Sequence, residues 1–193
     1  MARADSRIPS REIVEARLLK EQRRYHYLRL LIITLCLLAT VAAAAALIAI
    51  LFLQILRIDG TSMADTLREA DLVVAYSASS FEKGDIIAFY QEEDILVKRI
   101  IATEGDTVDI GPDGSVYVNG QLLEEPYVKQ KALGGCDIEL PCQVPEGESF
   151  VLGDHRNVSI DSRSSAIGCI RDSEIIGKVF LRIWPVKEIG PLK

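Results

Sequence analysis

Ser62 and Lys98 are the side chains in this sequence best suited to covalent chemistry, and each is a weak reagent on its own. Ser62 sits in Gly60-Thr61-Ser62-Met63-Ala64, which is not a GxSxG elbow, and Asp65 stands where an SxxK motif needs lysine. The two histidines, His26 and His155, lie far apart, so HExxH and Ser/His/Asp arrangements lack material, and there is neither a P-loop nor a GxGxxG run. Nucleotide chemistry and a histidine-based zinc site are therefore disfavoured. The serine needs a base of another kind.

Lys98 is the remaining candidate. If Ile95-Leu96-Val97-Lys98-Arg99-Ile100-Ile101 is a strand, its side chains alternate, and Lys98 shares a face with Leu96 and Ile100 while Arg99 points the other way. A lysine of ordinary pKa, about 10.4, is neutral in only about one copy in 2,500 at pH 7; lowering it to about 8 takes roughly 3 kcal/mol against the charged form, which desolvation can supply. Alternatively the stem covers its strand neighbours while the ammonium snorkels to water. These seven residues leave both readings open.

The elements that must position the pair follow from a sharp division of charge. Residues 1–29 carry eight basic and four acidic side chains, residues 30–56 none, and residues 57–193 fourteen basic and twenty-four acidic. The run Leu30–Leu53 is interrupted only by Thr34 and Thr40. As a helix, its twenty-four residues reach about 36 Å, enough for a hydrocarbon core of about 30 Å. A buried core helix is disfavoured because so long an uncharged run is hydrophobic on every face, and a cleaved signal's hydrophobic stretch is usually shorter, so residues 30–56 are expected to be a retained transmembrane anchor. Arg17, Lys20, Arg23, Arg24 and Arg29 crowd its first side, which places residues 1–29 in the cytoplasm and the rest outside. The basic segment 11–28 is either an amphipathic helix on the inner leaflet or a solvated lead-in. A net charge of −6 argues against a broad nucleic-acid-binding face.

Beyond the anchor the texture is β. Short apolar runs at 72–76, 85–90, 95–101, 115–120, 149–154 and 178–184 alternate with turn signals such as Lys83-Gly84 and Pro112-Asp113-Gly114. The expected fold is mainly β, an antiparallel catalytic domain with a small inserted β segment, preceded by one transmembrane helix. There is no repeat of 20–50 residues. From Leu53 to Ser62 is nine residues, spanning at most about 30 Å, so the serine works close to the outer leaflet.

Four blocks recur in the order found in the bacterial type I signal peptidases: Gly60-Thr61-Ser62-Met63-Ala64-Asp65-Thr66-Leu67; Lys83-Gly84-Asp85-Ile86-Ile87; Val97-Lys98-Arg99-Ile100-Ile101 with Gly105-Asp106; and Gly153-Asp154-His155-Arg156-Asn157-Val158-Ser159-Ile160-Asp161-Ser162-Arg163. Over residues 57–185 the chain resembles that family of membrane-anchored Ser/Lys serine proteases. The resemblance implies that Ser62 is the nucleophile, its backbone N–H an oxyanion donor, and Lys98 the general base. It makes Ser159 the hydrogen-bond partner that orients the lysine, and has Asp154, Arg156, Asp161 and Arg163 brace the loop through ion pairs. Ile58, Met63, Leu67, Leu96 and Val97 would line shallow apolar pockets for alanine-sized side chains while the substrate adds as an extended strand; plain core packing is the alternative for each. Three departures stand out. Gly60 replaces a hydroxyl residue that serves some members as the second oxyanion donor, Asp65 replaces the usual proline, and His155 the usual asparagine. Asp65 suits the positive end of a short helix, and His155 is expected to be a loop residue rather than the base.

The implied protein is a signal peptidase I of the bacterial plasma membrane, single-pass with its N-terminus cytoplasmic. It would cut secretory preproteins after small-x-small sites, with the lipid bilayer and export machinery as further partners and no metal or organic cofactor. Its parts would be residues 1–29 cytoplasmic, 30–56 anchor, 57–185 peptidase with 109–142 an insertion outside the catalytic core, and 186–193 a tail. Within that insertion Cys136 and Cys142 either form a disulfide or stand as two free thiols, and Cys169 is expected to be buried filler. Two alternatives remain: a related membrane protein that has lost hydrolysis and acts as an assembly or chaperone partner, and a self-cleaving repressor, whose DNA-binding domain the anchor displaces.

Overall fold

The computed structural model describes residues 11–64 and 66–192, with the backbone alone for residues 12–14, 16 and 51. The expected role of Asp65 at a helix start, the first ten residues of the cytoplasmic segment and the last of the tail lie outside the described residues. The chain divides into two compact units, one ending at Leu51 and one beginning at Phe52.

The first unit is a single helix, α1 (Arg11–Phe52), 42 residues long, or about 63 Å. Its segment Arg17–Ile50 is long and apolar enough to cross a membrane. Thr34 and Thr40 hydroxyls donate to the carbonyls of Leu30 and Leu37 at 2.9 and 2.8 Å, so neither leaves an unpaired polar group in the run. The helix is unbroken through residues 17–29, whose side chains are exposed. It stops at Phe52, and residues 53–56, expected in the anchor, form a strand instead: their backbone pairs with the strand that follows.

The second unit is antiparallel throughout. In chain order its strands are β1 (Leu53–Arg57), β2 (Leu72–Tyr76), β3 (Ile86–Gln91), β4 (Asp94–Thr103), β5 (Thr107–Ile110), β6 (Val116–Val118), β7 (Gln121–Leu122), β8 (Cys142–Gln143), β9 (Glu148–Leu152), β10 (Ile170–Arg171), β11 (Ile175–Trp184) and β12 (Gly190–Pro191). The large sheet runs β1-β2-β11-β3-β4-β9-β10, with β12 beside β11, and the small sheet runs β7-β6-β5-β8. Residues of the expected tail thus fold back onto β11 through Gly190 and Pro191.

Three apolar clusters hold these layers. One gathers Ile58, Met63, Leu67, Val73, Ala75, Ile86, Ala88 and Val179; a second joins the small sheet to β4 and β9 through Val108, Val116, Ile101 and Phe150; a third packs Ile87, Phe89, Ile100 and Val151. Each such side chain contributes about 1.5–3 kcal/mol by leaving water. The consequence for function is positional. β4 lies between β3 and β9, where Lys98 pairs with Ile87 and Arg99 with Leu152, so the loop leaving β9 at Gly153 starts beside those two cations.

Candidate active site

The serine is carried on an excursion between β1 and β2. Its base is clamped: the Ile58 N–H donates to Asp71 O and the Ala70 N–H to Ile58 O, both at 2.9 Å, while the Asp71 carboxylate accepts from the Arg68 N–H and from Arg182, again at 2.9 Å. Gly60, at φ +94°, turns the chain in a way a side chain would resist. A short turn follows, with Ala64 N–H on Thr61 O (3.0 Å) and Leu67 N–H on Met63 O (2.6 Å). Met63 and Leu67 are buried and anchor this turn, leaving Ser62 half-exposed at its head.

Lys98 comes to it from the middle of β4. The amine stands 2.7 Å from Ser62 Oγ and only 2% of the residue is exposed. As an ammonium it donates to the hydroxyl; as a neutral amine it accepts the hydroxyl proton. Burial pushes its pKa down to about 8; the charge of Arg163 acts in the same direction, and Asp161 and Asp154 oppose it. The alternation of β4 thus places a dry amine on an alcohol, as a Ser/Lys pair requires. The snorkelling alternative is not what the structure contains.

The loop 153–163 closes over this pair. It is pinned to β9 by Ser162, whose Oγ accepts from Val151 N–H at 2.9 Å and whose N–H donates to Val151 O at 3.1 Å. Asp161 takes the Gly153 N–H at 3.0 Å and Arg163 Nε at 2.8 Å. Arg163, fully buried, also donates to the carbonyls of Arg156, Ser159 and Leu133 at 3.0, 3.3 and 2.6 Å. The loop grips the serine turn directly: the His155 N–H donates to Ser62 O at 3.0 Å, His155 Nδ1 lies 3.2 Å from Thr61 O, and Thr66 Oγ1 donates to Asp154. Asp154 is held in turn by a two-pronged pair with Arg99, at 3.0 and 2.8 Å, with both side chains buried. Asp154→Ala strands that guanidinium and is expected to destabilise the protein by about 3–5 kcal/mol, measurable by urea unfolding in detergent.

The expected residues are thus brought together unequally. Ser62 and Lys98 touch, and Asp154, Arg156, Asp161 and Arg163 are all buried in ion pairs. Ser159 is buried but its hydroxyl hydrogen-bonds to nothing, Lys98 included; it is the one such buried side-chain oxygen among the described residues. Its Oγ is instead turned toward the Gly153 backbone. Of the five apolar residues expected to line substrate pockets, Leu96 borders the open groove beside Ser62. Ile58, Met63 and Leu67 are interior packing and Val97 leans on the same cluster, because the serine turn needs them to hold it down. Cys136 and Cys142 are not bridged: all four cysteines are free, and the thiol beside Cys142 is that of Cys169, pushed up to about 12 mainly by burial.

Sequence reasoning missed four participants: Arg99 as the partner of Asp154, Thr66, Glu125 and Tyr127. Glu125 pairs with Arg156, its side chain fully buried, and the Tyr127 ring lies 4.0 Å from the Arg99 guanidinium. Only Arg99 carried a signal, as an arginine next to Lys98 in a stretch otherwise apolar from Ile95 to Ile101.

The groove above the pair holds about 420 Å³ and is lined by Gly60, Thr61, Leu96, Val158, Ile160 and Ile167 around Ser62 and Lys98. Val158 and Ile160 are 50% and 66% exposed, an open apolar wall able to take a small side chain.

The family model described as signal peptidase, peptidase S26, matches residues 29–184. The chain is 38% identical over 151 residues to signal peptidase IB of Staphylococcus aureus (strain COL), covering 68% of this chain and 78% of that protein. To signal peptidase I of Bacillus caldolyticus it is 35% identical over 149 residues, covering 69% and 80%. A crystal structure of a signal peptidase I from Enterococcus faecalis V583 is 30% identical, covers 53% of this chain and 98% of that one, and superposes with a TM-score of 0.44. By the extent of the family match and of these relatives, this chain belongs to the signal peptidase, peptidase S26, family.

Proposed function

We propose that the protein is a membrane-anchored signal peptidase I, a serine endopeptidase that removes signal peptides from secretory preproteins after small-x-small sites. The observation that carries this reading is the buried Lys98 amine 2.7 Å from Ser62 Oγ in an apolar-walled groove. Lys98 takes the hydroxyl proton as Ser62 attacks the scissile carbonyl. The Ser62 N–H donates to no protein acceptor among the described residues, which leaves it available to stabilise the developing oxyanion. Lys98 then protonates the leaving amine and activates the water that hydrolyses the acyl-enzyme.

The anchor lies in α1, and the positive charges before it favour a cytoplasmic N-terminus and an extracytoplasmic peptidase unit at the bacterial plasma membrane. Exposed Ile55, Trp184, Val186 and Ile189 give that unit apolar surface suited to the lipid interface, where export machinery would deliver its preproteins. His155 Nδ1 lies against a backbone carbonyl, which favours a role in holding the serine turn over one as base.

The test is a membrane preparation given a precursor with a small-x-small site, the product being located by N-terminal sequencing. Wild type and His155→Ala cut after that site. An assembly or chaperone role would gain if wild type cut none of a panel of precursors, and the base assignment would move if His155→Ala alone lost cleavage.

A further inference from the structure

We propose that Glu125, together with Tyr127, is a positioning residue that holds the 153–163 loop closed over Ser62 and Lys98, a role that rests on the catalytic reading of that pair. Neither residue belongs to a strand, and both arrive from the chain between β7 and β8, far in sequence from the groove. Glu125 takes both terminal nitrogens of Arg156, one at 3.1 Å and the other closer, with the two side chains no more than 1% exposed. The third donor of Arg156, Nε, gives its proton to the Gly153 carbonyl at 3.1 Å.

Gly153 is the tightest point of the site. A Cβ built there lies 2.2 Å from Ser159 Oγ and 2.6 Å from the Ser62 carbonyl. The chain of contacts therefore runs Glu125, Arg156, Gly153, Ser62. Tyr127 supplies a parallel brace: its hydroxyl donates to Glu125 at 3.3 Å and its ring lies against Arg99, which holds Asp154. One short segment thus fixes the arginines on either side of Asp154. A buried ion pair is seldom the cheapest way to fill space, since apolar residues of similar volume often serve as well. Apolar residues cannot hold a carbonyl. The position of Gly153 is what the pair adds.

The dryness of Lys98 depends on that closure. The charges facing it are Asp154, Asp161 and Arg163, all on the loop. A loop released from Glu125 lets water reach the amine, so its titration moves back toward the ordinary lysine range.

Two variants test this in the full-length protein in membranes, Glu125→Gln and the double variant Glu125→Met/Arg156→Met, which removes both charges of this pair and fills the volume. Both are expected to lower kcat at pH 7 by about 10-fold or more with KM changed less than about threefold. The ascending limb of the rate profile should move up by about one pH unit, the shift that gives a tenfold loss below both pKa values. The double variant keeps the proposal testable should Glu125→Gln fold poorly. A folded double variant with wild-type kcat and an unmoved limb overturns it. Hydrogen exchange of the amides of residues 153–163 gives a readout independent of turnover: faster exchange in both variants supports the tether and unchanged protection refutes it. Absence of cleavage by wild type would count against the catalytic reading alone, leaving the exchange result to decide the tether.

Discussion

Lys98→Met is expected to abolish precursor cleavage, by about 10⁴-fold or more, while making the folded protein more stable at pH 7. The first effect follows from geometry: the amine 2.7 Å from Ser62 Oγ is removed, and among the described residues no other side chain hydrogen-bonds to that hydroxyl. The second follows from linkage. The Lys98 pKa lies at about 8 when folded, against a usual 10.5. The unfolded chain therefore holds the extra proton between those values, so stability rises with pH from about 8 to about 10.5, and the cost of burying the charge is fully present below about 8. That cost is about 3 kcal/mol. Methionine fills the same volume without it, and urea unfolding should show a gain at pH 7 that declines from about pH 8 and is gone by about pH 10.5. Ser62→Ala should match the loss of cleavage without the gain in stability, since Ser62 is half-exposed and uncharged. A Lys98→Met protein less stable than wild type at pH 7 would mean that the amine is better solvated than its surroundings indicate.

Gly153→Ala is the second large effect, and it comes from space alone. The added methyl would lie 2.2 Å from Ser159 Oγ and 2.6 Å from Ser62 O. Relief needs a displacement on the order of 1 Å, and misplacement of that size costs about 100-fold in turnover. Because the loop is held at Asp161, Arg156 and Ser162, the displacement falls on the serine turn, through the His155 N–H that binds Ser62 O. The expected result is a fall in kcat of about 100-fold or more with the sheet content unchanged by circular dichroism. Activity within a few-fold of wild type would show that the loop has slack here.

Much of this was legible before any coordinates. Strand alternation was enough to put Lys98 on one face and Arg99 on the other, and the uncharged run was enough to mark the membrane helix. Family blocks joined Ser62 to Lys98 across 36 residues. Other features resisted for identifiable reasons. The helix end did not show because Leu53-Gln54-Ile55-Leu56 carries no charge and continues the uncharged run, and only its ladder with β2 decides for strand. Pairing of buried charges was invisible because the partners are distant in sequence: Arg99 and Asp154 by 55 residues, Arg156 and Glu125 by 31, Thr66 and Asp154 by 88. Loop geometry brings them together, and no local pattern encodes it. Met63 and Leu67 read equally well as pocket or core, and the fold uses them to seat the serine turn. The spacing of Cys136 and Cys142 invited a bridge, yet the turn between them leaves Cys142 beside Cys169.

The central claim is that Lys98 titrates far below an ordinary lysine while in contact with Ser62. The most direct measurement is the pH dependence of kcat/KM for cleavage of one precursor by the full-length enzyme in membranes, from about pH 6 to 11. The expected profile ascends with an apparent pKa near 8, as burial of the amine dictates. An ascending limb near 10.5 would contradict it, as would a limb near 6.5 that disappears in His155→Ala.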